Sequence, residues 1–515
     1  MAGRTYPINP FPGISAAALV VVLILGTLLA VALRAEVGRG FGAADWAALR
    51  FTLTQSVLST LFSVGLAIPV ARALARRRFR GRRMLIALLG APFILPVIVA
   101  ILGLLQVFGR SGWVSDLLGL VGLPPIRIYG LHGVVLAHVF FNLPLATRLI
   151  LQGWQEIPAE RFRLAAQLGC EGWALFRLIE IPMLRRIVPG ILAVVFAICL
   201  TSFAVALTLG GGPRATTLEL AIYQSFTYDF DLGRAALLST VQLGLTALAA
   251  TAALKLSRGE SFGTGLDRAV RRWDTGGVLW DRIWISMATV FLVLPLTSVV
   301  MSGLVGLADL PTQVFRAAFV SIALALVSTV VLLGLALPMA ATIATGRFGM
   351  VELAGILGLA ASPLVIGTGL FILIRPLANP TALALPVTAL VNAVMALPFA
   401  LRILVPAARE IATQQGRLAL SLDMAGRVFF MRIMLPRLRP QIGFAAGLAA
   451  ALSMGDLGVI ALFADARIAT LPLQIYRLMG AYQMEAAAAG ALILLVLSMG
   501  LFWILDRGGK GHAEA

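Results

Sequence analysis

The amino-acid sequence predicts an all-α membrane protein, with twelve transmembrane helices arranged as two parallel six-helix repeats. Three observations predict it. The 515 residues are 60% hydrophobic and only 12% charged, with a mean hydropathy of +0.97, a balance outside that of water-soluble domains. Apolar runs of about 20 residues, the length that crosses a bilayer core as a helix, recur twelve times. A polar, arginine-bearing segment flanked by apolar runs occurs twice, 254 residues apart and without a gap.

In chain order, the first six spans run over residues 14–33, 51–71, 84–108, 131–151, 187–209 and 235–255. The second six run over 283–303, 318–340, 351–374, 382–405, 441–463 and 485–505. The first span is long, and Pro12-Gly13 precedes it in place of a strongly basic stretch, so it is expected to remain as a helix. Residues 1–255 therefore form the first half and 283–506 the second, joined by a polar Gly, Arg and Asp-rich tether at 256–282. Residues 507–515 read as a short disordered tail. Both copies run in the same direction and each holds an even number of helices, which gives parallel repeats about an axis along the membrane normal.

The repeat extends beyond the polar segments. Ser59 and Thr60, with Pro69, match Ser328 and Thr329, with Pro338. Pro96 matches Pro363, Pro144 matches Pro398, and Thr217 through Tyr223 matches Thr470 through Tyr476. The four prolines at 96, 144, 363 and 398 are expected to kink their helices.

A net charge of +18 would suit a nucleic-acid binder, but the placement of the charges argues against one. With the N-terminus inside, 30 of the 41 Lys and Arg residues fall on the inner side and 11 on the outer. That is the positive-inside bias, and it sets both polar segments and both termini in the cytoplasm. The basic runs are topology signals and lipid-headgroup contacts. Two cysteines, Cys170 and Cys199, make no disulfide framework, and His132, His138 and His512 make no metal site. No catalytic constellation is present, and no Gly-Lys-Ser/Thr phosphate loop either.

The first polar segment runs from Glu156 through Arg163, Leu164, Ala165 and Gly169 to Phe176 and Ile181-Pro182. The second runs from Glu410 through Arg417, Leu418, Ala419 and Asp423 to Phe430 and Leu435-Pro436. Pro158 is suited to open a helix, Glu160 to its first turn, and Gly169 to its end. A second short helix is expected from about Gly172 to Glu180. The resulting knob would offer Arg163 to a partner's carboxylates while Leu164 and Leu168 hold it to the bundle.

These segments resemble the EAA motif of ABC-transporter permeases, the coupling helix that docks on the ATP-binding subunit. The departures are Arg163 and Arg417 at the motif's acidic first position and Asp423 at its glycine. The resemblance implies the type I ABC importer permease fold. It also implies two copies of a cytoplasmic ATPase that binds and uses ATP and Mg, a periplasmic substrate-binding protein, and no cofactor on this chain. Two halves in one chain are similar to permeases for ferric iron and for thiamine. Gly109–Trp113, Gly130–Pro144, Leu209–Gln224 and Ser453–Gly458 with Thr470–Pro472 are more similar to the thiamine permease family. A location in the bacterial inner membrane and a thiamine-type substrate follow from that resemblance.

Three further groups are candidates. Asp456, between Gly455 and Gly458, is an acidic residue placed well inside a span, where an ionisable group is costly and by default functional. A carboxylate there suits a path for a cation; the other reading is that Asp456 caps a helix break at the glycines or pairs with a neighbour. Asn142 and Asn392 are polar positions in helices four and ten, and interhelical hydrogen bonding is the other reading of both. On the outer side, the turn with Gly211, Arg214 and Glu219 is either a tight turn or a contact for a docked binding protein.

Overall fold

The computed structural model describes residues 8–36, 38, 40–90, 94–212, 215–256, 276–346, 349–464 and 468–510. The regular structure among these residues is all helical, and no strand occurs among them. The first half holds α1 (Phe11–Arg34), α2 (Ala43–Arg76), α3 (Arg82–Leu88), α4 (Val97–Phe108), α5 (Trp113–Leu120), α6 (Leu131–Gln155), α7 (Ala159–Gln167), α8 (Gly172–Leu175), α9 (Ile181–Leu200), α10 (Phe203–Leu209), α11 (Leu218–Thr227) and α12 (Leu232–Leu256). The second holds α13 (Val278–Val305), α14 (Thr312–Thr345), α15 (Gly349–Ile356), α16 (Pro363–Ile374), α17 (Ala384–Ser421), α18 (Arg427–Phe429), α19 (Leu435–Arg437), α20 (Arg439–Met454), α21 (Gly458–Phe463), α22 (Leu471–Gly480) and α23 (Met484–Lys510).

Among the described residues, 11 helical stretches are long and apolar enough to cross a membrane. The third and ninth expected spans differ: 84–108 is broken into α3 and the 12-residue α4, the long stretch there being Val97–Leu120, and 351–374 is broken into α15 and the 12-residue α16. Pro363 forces the residue before it out of the helical region, and Ser362 is extended at φ −77 and ψ 146. The Ser362 hydroxyl then accepts from the amides of Leu364 and Val365 and caps α16. Pro96 stands likewise at the N-cap of α4, so these two prolines mark helix starts where kinks were expected. α6 and α17, in contrast, run through Pro144 and Pro398.

The fifth and eleventh spans also break, α9 from α10 at Thr201 and Ser202, and α20 from α21 at Gly455 to Leu457. Inside a bilayer the backbone groups freed by a break need partners. At the first break Gln55 donates to the Cys199 carbonyl at 3.0 Å and Gln242 to the Leu200 carbonyl at 2.9 Å.

Each half lends helices to the other's core. Ala17, Val20 and Ile24 of α1 lie in one cluster with Leu332 to Ile343 of α14 and Leu364 to Leu370 of α16. Ala288, Leu292 and Val299 of α13 lie in the other, with Val64 to Leu74 of α2 and Ile98 to Leu105 of α4. Glycines bring the backbones together at both seams. A Cβ at Gly103 would collide with the Pro295 carbonyl, and one at Gly369 with the Thr27 carbonyl.

The ends of the expected tether and tail differ from expectation. Residues 257–275 lie outside the described residues, but α13 already begins at Val278. Asp281, buried, pairs with Arg76 at 3.3 Å and Arg77 at 2.6 Å, which ties this end to α2. At the C-terminus α23 continues to Lys510, so residues 507–510 are helical where a disordered tail was expected. The close seat of Gly509 against Arg439 and Gly443, and Arg507 over the Trp503 ring at 4.9 Å, hold that turn.

A candidate coupling surface and translocation path

The two polar segments share one backbone design. Just past the cap of α7 stands Gly169 (φ +66), and just past that of α17 stands Asp423 (φ +54), both in the left-handed region. The amide of Cys170 bonds the Ala165 carbonyl at 2.9 Å, and that of Met424 bonds the Ala419 carbonyl at 2.8 Å. This is the Schellman closure, for which glycine is the usual residue and which a short polar side chain also tolerates. Asp423 thus replaces glycine without changing the turn. Each segment then carries a five-residue π-helical turn, Phe176–Glu180 and Phe430–Met434. In both, the amide just before the proline reaches back five residues, from Ile181 to Phe176 and from Leu435 to Phe430. Pro182 and Pro436 have no amide to continue the ladder, so the wider turn settles where that bond is missing.

The segments join the bundle differently. Pro158 breaks the chain between α6 and α7, whereas Ala412 stands at the matching place and α17 runs unbroken for 38 residues into the second segment. The anchors differ as well. Glu180, fully buried, pairs with Arg72 at 2.6 Å and accepts from the Trp154 indole at 3.2 Å, and Arg72 lies 5.0 Å from the Phe176 ring centre. By the repeat register these three are Ala341, Ala408 and Met434 in the second half, an apolar anchor with Phe429 and Leu438.

Leu164 and Leu168 do not hold the first segment to the bundle. Phe162 and Ala165, three residues apart on one face of α7, are buried, while Leu164 and Leu168 are 57% and 70% exposed on the opposite face. Leu418 and Leu422 repeat this at 62% and 61%, with Arg163 and Arg417 exposed beside them and Ala419 buried. The outer face of each segment is therefore two leucines and an arginine. Sequence reasoning missed Arg72, Trp154, Glu180 and Phe162, since nothing local ties residues 108 apart, such as Arg72 and Glu180, to one another.

The expected path residues lie near the helix breaks. Asp456 sits in the break between α20 and α21 and not within a helix. Its carboxylate faces the amides of Gly458, Val459 and Ile460 and the Asn392 side chain, and its buried Oδ2 has no hydrogen-bond partner. Asn392 donates to Ser453 Oγ at 3.0 Å, joining α17 to α20. Asn142 donates to Cys199 Sγ at 3.4 Å, joining α6 to α9.

Glu219 is not on the outer surface. α11 turns inward, Leu218 to Tyr223 are buried, and the Glu219 carboxylate, 1% exposed, accepts from Gln242 at 3.0 Å. That burial removes it as a contact for a docked protein. Gly211 is exposed, with φ +76, and its turn packs against Tyr129 and Gly130. Arg214 lies outside the described residues.

No family model matches the chain. Curated relatives cover nearly all of it. The thiamine transport system permease protein ThiP of Brucella abortus (strain 2308) is 41% identical over 98% of this chain and 96% of its own length. That of Salmonella typhimurium is 38% identical over the full length of both, and that of Escherichia coli K12 is 39% identical over 98% of both. With a membrane-type helical bundle, two polar segments of one backbone design and this identity along its whole length, the chain belongs to the ThiP family of transport system permeases.

Proposed function

We propose that this chain is the membrane-spanning subunit of an ABC importer that moves thiamine and its phosphate esters from a periplasmic binding protein to the cytoplasm. The observation that carries the proposal is the pair of matched segments, each presenting two exposed leucines and an arginine on one backbone design. The full-length relatives, named for thiamine transport, support the substrate class. The ferric-iron alternative draws no support from them. The chain is a permease subunit, and ATP and Mg are bound and used by two copies of a separate ATPase, one on each segment.

Twelve crossings in two parallel repeats, with both termini cytoplasmic in the bacterial inner membrane, fit the reciprocal packing of α1 and α13 and the 30-to-11 division of basic residues. Closure of the ATPase pair on ATP would draw the segments together and tilt the halves open to the outside. Hydrolysis would return them inward. This alternation requires that ATP and the loaded binding protein each favour one state by differential binding. Asp456 would lie along the path and attract the thiazolium cation weakly enough for release.

Reversing both arginines, Arg163→Glu with Arg417→Glu, tests the docking. The wild-type complex is expected to carry two ATPase copies per chain by native mass measurement, and the double variant fewer. An unchanged complement in the variant, or a single copy on the wild type, would contradict the reading.

A further inference from the structure

Two tyrosines and a phenylalanine meet close to where a third tyrosine packs on the cores of both halves. Phe203 opens α10 and stacks edge-on to Tyr223 of α11, with ring centres 5.2 Å apart. Tyr223 in turn meets Tyr228, at 6.0 Å and an interplanar angle of 85°. Tyr476 of α22 packs against the cores of both halves, one of which contains Phe203 and Tyr223. Tyr223 and Tyr476 are counterparts in the repeat, and their helices are seated alike. The Leu218 amide donates to Thr52 of α2 at 2.8 Å, and the Leu471 amide to Ser321 of α14 at 2.7 Å.

The cluster leads to Asp456. A Cβ placed on Gly458 would lie 3.6 Å from a Phe203 ring carbon and 3.9 Å from Asp456 Oδ1, so the ring and the carboxylate flank Gly458 at close range. Exposure falls along the cluster, from 66% at Tyr228 to 8% at Tyr223 and 6% at Phe203. The rings thus run inward from the surface towards an acid whose buried Oδ2 has no partner.

We propose that Phe203, Tyr223, Tyr228 and Tyr476, with Asp456 behind them, form a station for a cationic heteroaromatic substrate. The faces of the rings attract the cation, and the carboxylate draws it past the helix break. The proposal rests on thiamine import and adds the residues that read the thiazolium charge. Aromatic faces suit that task better than further carboxylates, since they hold a cation without a tight ion pair that would slow its release.

The test compares thiamine with a neutral isostere in which carbon replaces the thiazolium nitrogen, using proteoliposomes that hold the chain, its ATPase and its binding protein. Tyr228→Leu is expected to raise the KM for thiamine roughly threefold, the equivalent of about 0.7 kcal/mol and within the range of a cation–π contact at an exposed ring. It should leave uptake of the isostere unchanged, and Tyr228→Phe should restore thiamine uptake. Tyr228 is exposed, so its replacement leaves the fold intact; Tyr223→Leu and Tyr476→Leu are compared after their ATPase content is shown to be normal. Equal losses for both substrates, or failure of phenylalanine to restore uptake, would overturn the proposal. Absence of thiamine uptake by the wild type with an active ATPase would instead overturn the import reading beneath it.

Discussion

Asp423 occupies a left-handed turn that its counterpart Gly169 enters without a Cβ penalty. The penalty for a side chain there is about 1–2 kcal/mol, and aspartate lessens it through local hydrogen bonding. Asp423→Gly should therefore keep the thermal midpoint of the purified permease, whereas Asp423→Val should lower it; equal midpoints for the two variants would contradict the shared turn. At this scale the sequence told which residues turn the chain but not which face inward. Gly169, Pro182, Phe176 and their counterparts were legible because each has a backbone role tied to its residue type and its register. The inward face of α7 was not, because Leu164 and Phe162 are both apolar, and only the docking of α7 on the bundle decides between them. Glu219 misled for a related reason: a carboxylate near a Gly-rich outer turn reads as surface, and Gln242, which receives it, is 23 residues away.

The two polar segments proposed to meet the ATPase are alike in backbone and unlike in attachment. The first turns at Pro158 and is pinned by Glu180 to Arg72 and Trp154; the second grows directly from α17 and rests on apolar contacts. Arg72→Ala removes the cation facing a fully buried carboxylate, a change that costs roughly 3 kcal/mol at the low end for broken buried pairs. A lowered thermal midpoint is expected, along with loss of the ATPase from the first segment while the second keeps its copy. An unaltered midpoint and two retained copies would show that the pair does not hold the segment. Pro158 and Ala412 were visible in the sequence as a difference between the copies, and they account for the difference in the helices. The Arg72 to Glu180 pair was not visible, since no spacing links them.

Over the whole molecule, the exchange of α1 and α13 between cores makes the halves interdependent while leaving breaks at matched places, near Ser202 and Asp456. Gly103→Val and Gly369→Val should each wedge a seam apart and lower the yield of folded permease, since each would press a side chain on a facing backbone carbonyl. Normal yield from both would show that the seams are loose. The helical class and most span positions were legible from hydropathy, which reports burial in lipid irrespective of partner. Breaks within spans were legible only as one alternative, at the glycines around Asp456, because a glycine or proline inside an apolar run is compatible with a bend or a stop, and side chains from distant helices, such as Gln55 and Gln242 at the Cys199 and Leu200 carbonyls, determine which.

The most direct measurement is uptake of labelled thiamine by proteoliposomes holding the chain with its ATPase and binding protein, with and without ATP, for the wild type and for Arg163→Glu with Arg417→Glu. Accumulation that needs ATP, is competed by thiamine diphosphate and not by ferric citrate, and is lost in the double variant is the predicted result. Accumulation without ATP, full uptake by the double variant, or no thiamine uptake beside an active ATPase would contradict the account.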